Sequence, residues 1–394
     1  MRILLLHPND PNQMFLMKSV CKHLNDVGVY MDMLNITTKE FNSPQRGKFQ
    51  FGVVDKFYKF LMRIPKVRVL VKKYFPYNRF LCLWIARNYD ILDIQSVFVY
   101  DFLTIANICH KKGMRIKTHI WGSDLFRETI DQRIWHDEIY KHSDKIQVST
   151  ENAVSYFKKI YSQYADKLIR IPYGLDQFDL LDKMLEDSSS IDVSFFDKQT
   201  DGKMIVTCGY NGRKEQQHML ILEAIEKLPI ELKQKIFLFF PMTYLLEEEY
   251  YHQINEKLKT LQIPYQIQRE RLSLNQNLSM RIKTDIVVNI QTTDGLAASL
   301  QEHLYCGNVL LAGDWLPYDI YLDNGIYYCK TSIENLSYNL QSVIENYPVY
   351  QQRCWNNRKA LYNLTSWTAV APQWKTMYEK MMPSYDNKQS KNSL

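Results

Sequence analysis

The sequence predicts an α/β protein built as two doubly wound, parallel-sheet halves in series, and three observations predict it. Short apolar runs of strand length alternate with amphipathic stretches of helix length along nearly the whole chain. That rhythm is the pattern of βαβ units whose strands are buried on both faces. The chain has 394 residues, more than a single core usually serves. The rhythm also stops once, at the polar run EDSSSIDVSFFDKQTDG (186–202), and then restarts.

Taken in order, the first half reads as strands at 2–7, 28–36, 90–95, 114–120, 145–149 and 168–172, with helices between them such as 14–26 and 101–112. The opening run MRILLLH starts a strand at once and is too short in its apolar part for a signal peptide. The second half reads as strands at 203–208, 235–240, 264–268, 285–290, 308–312 and 326–329, with helices at 215–227, 245–260, 275–282, 296–306 and 333–346. These assignments set a first domain at 1–185, a linker at 186–202 and a second domain at 203–350. Helices carrying Trp355, Trp367 and Trp374 follow at 351–384, and a polar, disordered tail is expected at 385–394.

Composition narrows the class. The seven cysteines are odd in number, scattered, and never spaced Cys-x-x-Cys, so neither a disulfide framework nor a zinc site is indicated, and a reducing compartment fits. A net charge of +6 over this length does not argue for nucleic acid, and no nucleic-acid motif accompanies it. No G-x-G-x-x-G follows the first strand of either half, which disfavours a dinucleotide enzyme. Apolar runs such as FLCLWIA (80–86) are far too short to span a bilayer.

Chemistry concentrates at strand-to-helix turns, where backbone N–H groups and the helix dipole favour anions. At the start of the second half, Gly209 ends a strand and Asn211, Gly212, Arg213 and Lys214 form the turn. Two glycines let a backbone approach closely and two cations balance charge, which suits a diphosphate; an ordinary solvated turn would carry the same letters. In DIVVNIQTTDGLAASLQEHLYCGNVLLAGD (285–314), Asp294 stands at the turn and Glu302 eight positions later on the helix. A carboxylate on that helix can accept both hydroxyls of a ribose, one at the turn can hold sugar hydroxyls, and the amides of Gly295, Leu296 and Ala297 can take phosphate. A helix-capping aspartate and a solvated glutamate would look alike at this level. The strand-ending turn PMTY places Thr243 and Tyr244 as further donor-side candidates.

The stretch DGLAASLQEHLYCGNVLLAGD resembles the donor-site signature of the GT-B glycosyltransferases, above all glycosyltransferase family 4. That signature is an acid, seven residues, a glutamate, a helix ending at Cys/Gly and a strand; Asp294 stands where the family usually has glutamate. RIPYGLDQFD (170–179) resembles the family's interdomain segment, and Ser366-Trp367 resembles the start of its returning C-terminal helix. PMTYLLEEEYY (241–251) is similar to bacterial 4-acetamido-fucose transferases, which share the architecture but invert. The resemblance implies a GT-B fold: two Rossmann-like domains facing a cleft, with a C-terminal helix crossing back to the first. It implies a hexosyl- or N-acetylhexosaminyl-type transferase that needs no metal or cofactor and takes a nucleotide-sugar donor. Gly209, Arg213 and Lys214 would then serve the diphosphate, Asp294 the transferred sugar and Glu302 the ribose.

In the first half, KTHIWGSDLFR (117–127) puts His119 at a strand end and Trp121, Gly122, Ser123 and Asp124 in the turn. The family commonly has His-Gly-x-Asp here, whereas Trp121 directly precedes the glycine in this chain and the histidine sits two residues earlier. His119 and Asp124 are the catalytic candidates, against a core histidine and a helix cap. His7, Asn9 and Asp10 follow the first strand as weaker acceptor candidates. Residues 56–79 hold eight basic residues and no acid, with Phe57, Leu61, Ile64, Val71 and Phe75 near helical spacing. Lys66, Arg68, Lys72 and Lys73, with Trp121, are therefore candidates for an anionic membrane surface or an acceptor; a helix packing its apolar stripe on the sheet is the alternative. The expectation is a cytoplasmic enzyme, peripherally membrane-associated, acting on a lipid-linked or other glycan acceptor. Retaining transfer is the lead; an inverting transferase, a nucleotide-sugar 2-epimerase and a non-catalytic glycan-binding subunit remain open.

Overall fold

The computed structural model describes residues 1–8, 11–36, 40–43, 47–50, 60–74, 77–97, 99–196, 200 and 202–382. The chain forms two compact units: residues 1–174 with 367–394, and residues 175–366.

Unit 1 is built on an eight-stranded sheet. Its strands are β1 (Arg2–His7), β2 (Tyr30–Asn35), β3 (Glu40–Ser43), β4 (Gly47–Gln50), β5 (Ile91–Gln95), β6 (Arg115–His119), β7 (Lys145–Val148) and β8 (Leu168–Arg170), in the order β4-β3-β2-β1-β5-β6-β7-β8. All neighbours pair in parallel except the β3–β4 hairpin, which adds to β2 antiparallel. Leu4, Leu6, Leu92, Ile94 and Ile116 pack on one face, while Ile3, Leu5 and Ile91 meet Trp374 and Tyr378 of the helix Trp367–Met381 on the other. Period-2 alternation thus buries both faces, as the apolar runs required. The hairpin was not expected from the sequence.

Unit 2 carries a six-stranded, wholly parallel sheet. Its strands β9 (Met204–Cys208), β10 (Ile236–Pro241), β11 (Tyr265–Gln268), β12 (Ile286–Asn289), β13 (Val309–Gly313) and β14 (Cys329–Thr331) run in the order β11-β10-β9-β12-β13-β14. The order reverses between β9 and β12, so a crevice opens at their carboxyl ends, the place where open α/β sheets bind ligands. Val206, Ile286 and Val288 pack against the helices His218–Glu226 and Leu336–Glu345. Val287, Leu310 and Ala312 pack against Gln177–Glu186 and Ala298–Tyr305.

The division differs from the expected 1–185, 186–202 and 203–350. The chain enters unit 2 after Gly174, and most of the stretch read as a linker is part of that unit. The Asp192 amide donates to Ser279 Oγ at 2.9 Å, Gln266 Nε2 donates to the Phe195 carbonyl at 2.8 Å, and Phe195 and Phe196 pack on Phe239. Its polar composition has a local cause: Asp187 and Asp192 accept from the amides of Ser189 and Ser194 and so close the turns. The C-terminal helices also divide. Tyr347–Arg353 and Asn357–Thr365 belong to unit 2, and the chain returns to unit 1 only at Trp367–Met381. Residues 385–394 lie outside the described residues.

Candidate functional site

The loops after β9, β10 and β12 form one bonded group at the carboxyl edge of the unit 2 sheet. The Gly209 amide donates to Val288 of β12 at 2.9 Å, the Gly212 amide to Tyr244 at 3.0 Å, and the Thr292 amide to Glu215 at 2.9 Å. Gly209 is needed on two counts. Its φ is +67°, and a Cβ there would lie 2.8 Å from both Gln216 Oε1 and His218 Nε2. Gly212 has no room either, since a Cβ would meet Leu246 at 2.6 Å. The structure therefore gathers three loops far apart in sequence, one with Gly209, Arg213 and Lys214, one with Thr243 and Tyr244, and one with Asp294.

Asp294 is half-buried at the centre of this group. Tyr318 donates its hydroxyl to Oδ2, the Tyr210 hydroxyl, whose one proton is shared with Gln291, lies 3.3 Å from Oδ1, and the Ala297 amide donates to Oδ2 at 3.2 Å. Burial pushes its carboxyl above the ordinary range, while these donors and the Gly295 amide pull it back. This corrects the expected phosphate cradle: the amides of Gly295 and Ala297 serve Asp294. The helix proper starts at Ala298, so the amides free of intrahelical partners lie in its first turn. Leu296 makes the bend with a left-handed φ of +66°.

Glu302 is not a solvated acid. It is buried beside Arg281, whose Nε lies 3.1 Å from Oε2, and burial raises its carboxyl while Arg281 lowers it. Oε1 takes no hydrogen bond among the described residues, so one oxygen of the expected ribose ligand stays uncommitted. Arg281 also reaches His303 Nε2 at 3.2 Å, and burial with that guanidinium keeps His303 neutral. Arg213 and Lys214 are open to solvent but carry counter-charges. Lys214 Nζ lies 2.8 Å from Glu247, and Arg213 lies 3.9 Å from Glu215. Such exposed pairs exchange readily for a stronger anion.

Sequence reading missed Tyr210, Gln216, Arg281, Gln291 and Tyr318, which hold the acids in place. Gln216 Nε2 donates to Gln291 Oε1 at 2.8 Å, the Tyr210 hydroxyl lies 3.0 Å from the same oxygen, and Asn289 Nδ2 donates to Tyr318 at 2.8 Å. The available signal was position: Tyr210 and Gln291 each stand two residues past the ends of β9 and β12.

In unit 1 the expected catalytic acid is a backbone clamp. Asp124 is fully buried, with Oδ1 accepting from the amides of Trp121 and Gly122 at 2.8 and 3.0 Å and Oδ2 from Val97 at 3.3 Å. Burial raises its carboxyl to about 6 against those bonds. His119 ends β6 and is stacked near Trp121, with ring centroids 5.4 Å apart. Its Nδ1 faces Gln95 Oε1 at 3.1 Å, and Gln95 Nε2 donates to Asp93 at 2.9 Å. A carboxylate only accepts, so Gln95 must present its oxygen to the ring, and Nδ1 carries the proton. Burial and the nearby Lys117 charge hold the imidazole well below its usual range, which makes it a hydrogen-bonding group and a poor base. Beneath it, Lys117 and Asp93 form a fully buried pair at 3.1 Å, joined by the Tyr378 hydroxyl.

In the basic segment, Lys66 and Arg68 are exposed on the helix Pro65–Tyr74. Phe60, Val69 and Leu70 are also about three-fifths exposed, at 58%, 63% and 58%. Of the stripe named from the sequence, Leu61 is half-buried and Ile64 is exposed. Phe57, Phe75, Asn9 and Asp10, and the side chains of Val71, Lys72 and Lys73, lie outside the described residues. No helix among the described residues is long and apolar enough to cross a membrane.

No family model matches this sequence, and no curated protein matches it. Solved structures do. HepE of Anabaena, crystallised with UDP and glucose, matches with a TM-score of 0.66 at 11% identity over 96% of this chain and 100% of that one. Sucrose-phosphate synthase of Thermosynechococcus elongatus matches with a TM-score of 0.69 at 12% identity, covering 97% and 99%. A glycosyltransferase of Rickettsia africae matches with a TM-score of 0.67 at 12% identity, covering 97% and 99%. The chain has the GT-B fold, with two parallel-sheet, Rossmann-like domains.

Proposed function

We propose that the protein is a glycosyltransferase that moves a sugar from a nucleotide-sugar donor to a glycan acceptor, with unit 2 as the donor domain. The observation that carries this reading is the Asp294 network at the strand-order reversal of unit 2, flanked by the Gly209–Lys214 turn and the Arg281-held Glu302. HepE, a structural neighbour of the same fold, has been crystallised with UDP-glucose, which makes a nucleotide sugar the first ligand to try. Donor handling of the family 4 kind assigns the diphosphate to the helix start at Ala298 together with Arg213 and Lys214. It assigns the sugar to Asp294 and the ribose to Glu302 Oε1.

Transfer with retention fits the first unit best. Asp124 spends both oxygens on backbone amides, and His119 is held neutral and weakly basic. Neither offers a strong base to an incoming hydroxyl. In a retaining reaction the acceptor oxygen bonds to the anomeric carbon on the face that the leaving group vacates. The bond from that carbon to the diphosphate breaks, the nucleoside diphosphate leaves with the electron pair, and its phosphate oxygen takes the acceptor's proton. Donors aimed at the leaving diphosphate then supply the main stabilisation. The reaction needs no metal in this proposal, so a chelator should leave turnover unchanged. An acceptor carried on an anionic membrane suits the exposed Phe60, Val69 and Leu70 between Arg63, Lys66 and Arg68.

A thermal-shift screen of UDP-, GDP- and TDP-sugars tests the donor assignment. One nucleotide class should raise the melting temperature in a concentration-dependent way. No shift with any of the three sinks the transferase reading in favour of a non-catalytic role.

A further inference from the structure

The network around Asp294 leaves polar groups unspent. Gln216 Oε1 accepts the Tyr210 amide at 3.1 Å, and that amide can only donate. Gln216 must therefore turn its Nε2 toward Gln291, 2.8 Å away, and Gln291 must answer with Oε1. The Tyr210 hydroxyl lies 3.0 Å from the same oxygen and shares its one proton between it and Asp294 Oδ1. The orientation of the Gln291 amide is thus fixed by the Gln216 donor, and its Nε2 is left buried with no hydrogen-bond partner. The side chain cannot turn away at low cost. Gln291 is 1% exposed, its carbonyl accepts from Trp315 Nε1 at 2.9 Å, and the next amide, Thr292, is tied to Glu215.

A buried N–H without an acceptor costs on the order of 1–3 kcal/mol, and native proteins rarely keep one without a use. A second unspent donor lies on the same loop-to-helix connection: Ser299 Oγ, in the first turn of the helix Ala298–Tyr305, is buried without a partner. These donors share the carboxyl edge of β12 with the unpaired amides of that turn. What they lack is an oxygen-rich acceptor. We propose that the Gln291 side-chain amide contacts the nucleotide sugar directly, by donating from Nε2 to a diphosphate oxygen. This rests on the donor-domain reading and adds to it a contact that neither the acidic signature nor the cationic turn supplies.

The test is calorimetry on the full chain, using whichever of UDP, GDP or TDP binds the unaltered protein best, and the matching nucleotide-glucose. Gln291→Glu keeps the oxygen that faces Tyr210 and Gln216 and replaces the N–H donors with an oxygen. Gln291→Met removes both, and circular dichroism identifies which variants are folded. A folded variant should bind both the nucleoside diphosphate and its sugar conjugate roughly ten- to a hundredfold more weakly, the worth of one bond to a charged acceptor. Unchanged affinity for both ligands overturns the proposal. Loss confined to the sugar conjugate also overturns it, because the contact is then to the sugar. If the unaltered protein binds none of the three nucleotides, the donor-domain reading itself fails, a result distinct from either of these.

Discussion

An ion pair lies buried in each unit, and the two are built differently. In unit 1, Lys117 and Asp93 are both fully buried, 3.1 Å apart. Asp93 also accepts from Gln95 and Tyr378, and the Lys117 ammonium sits 4.3 Å over the Trp374 ring. Burial lowers the lysine to about 8, with Asp93 pulling it back up. In unit 2, Arg281 and Glu302 keep 6% and 9% of their side chains exposed, and Glu302 Oε1 stays uncommitted. The first pair is enclosed by its own domain and fixes how the helix Trp367–Met381 sits on the sheet. The second supports a carboxylate that still has valence for a ligand. Burial of charge therefore does not by itself mark a candidate site; the unspent acceptor is what sets the second pair apart.

The largest effect is expected when one partner is removed from the closed pair. Lys117→Met should cost about 3–5 kcal/mol of stability in denaturant titration by stranding Asp93, and adding Asp93→Leu should return much of it. If the single change is neutral, the unit 1 pair is not the lock described here. Next in size is a pH effect at the clamp. The folded carboxyl of Asp124 is raised from 3.8 to about 6, so its favourable contribution is fully present below about pH 4 and is lost as pH rises through 6. Relative to Asp124→Asn, the unaltered protein should lose on the order of 3 kcal/mol between pH 4 and 7, read from paired melts. A pH-independent difference would mean the carboxyl is not desolvated.

In the open pair, Glu302→Gln keeps the shape and removes the charge. Donor affinity in calorimetry should fall roughly tenfold, the worth of a bond to a charged group. A lower melting point with intact affinity would make Glu302 as purely structural as Asp93. The smallest effect is expected at the surface. Lys66→Gln should weaken co-sedimentation with phosphatidylserine vesicles about fivefold, because one cation near an anionic surface is worth about 1 kcal/mol. Equal sedimentation would remove the membrane from the proposal.

The strands were legible because parallel strands buried on both faces must be apolar along their length, as in Leu4–Leu6 or Ile286–Val288. The β3–β4 hairpin was not, since EFNS and GKFQ are short and polar and owe their pairing to the edge of β2. Gly209 and Asp294 were legible because the turn chemistry that needs them is local. Tyr210, Gln216, Gln291, Arg281 and Tyr318 were not, because their roles arise only where separate loops meet. The segment 186–202 misled for a related reason. Its serines and aspartates bond their own backbone, and only packing reveals that Phe195 and Phe196 anchor it.

The division of the chain sets an order of assembly. Unit 2 is one continuous run, whereas unit 1 draws its last core helix from the far end of the sequence. On the ribosome, every residue of unit 2 has been added while Trp374 and Tyr378 are still untranslated. The half that is made first is therefore completed last. Until Tyr378 arrives, the nascent first domain must carry Asp93 and Lys117 beneath an uncovered sheet face, a stage at which chaperone contact with that face is most valuable.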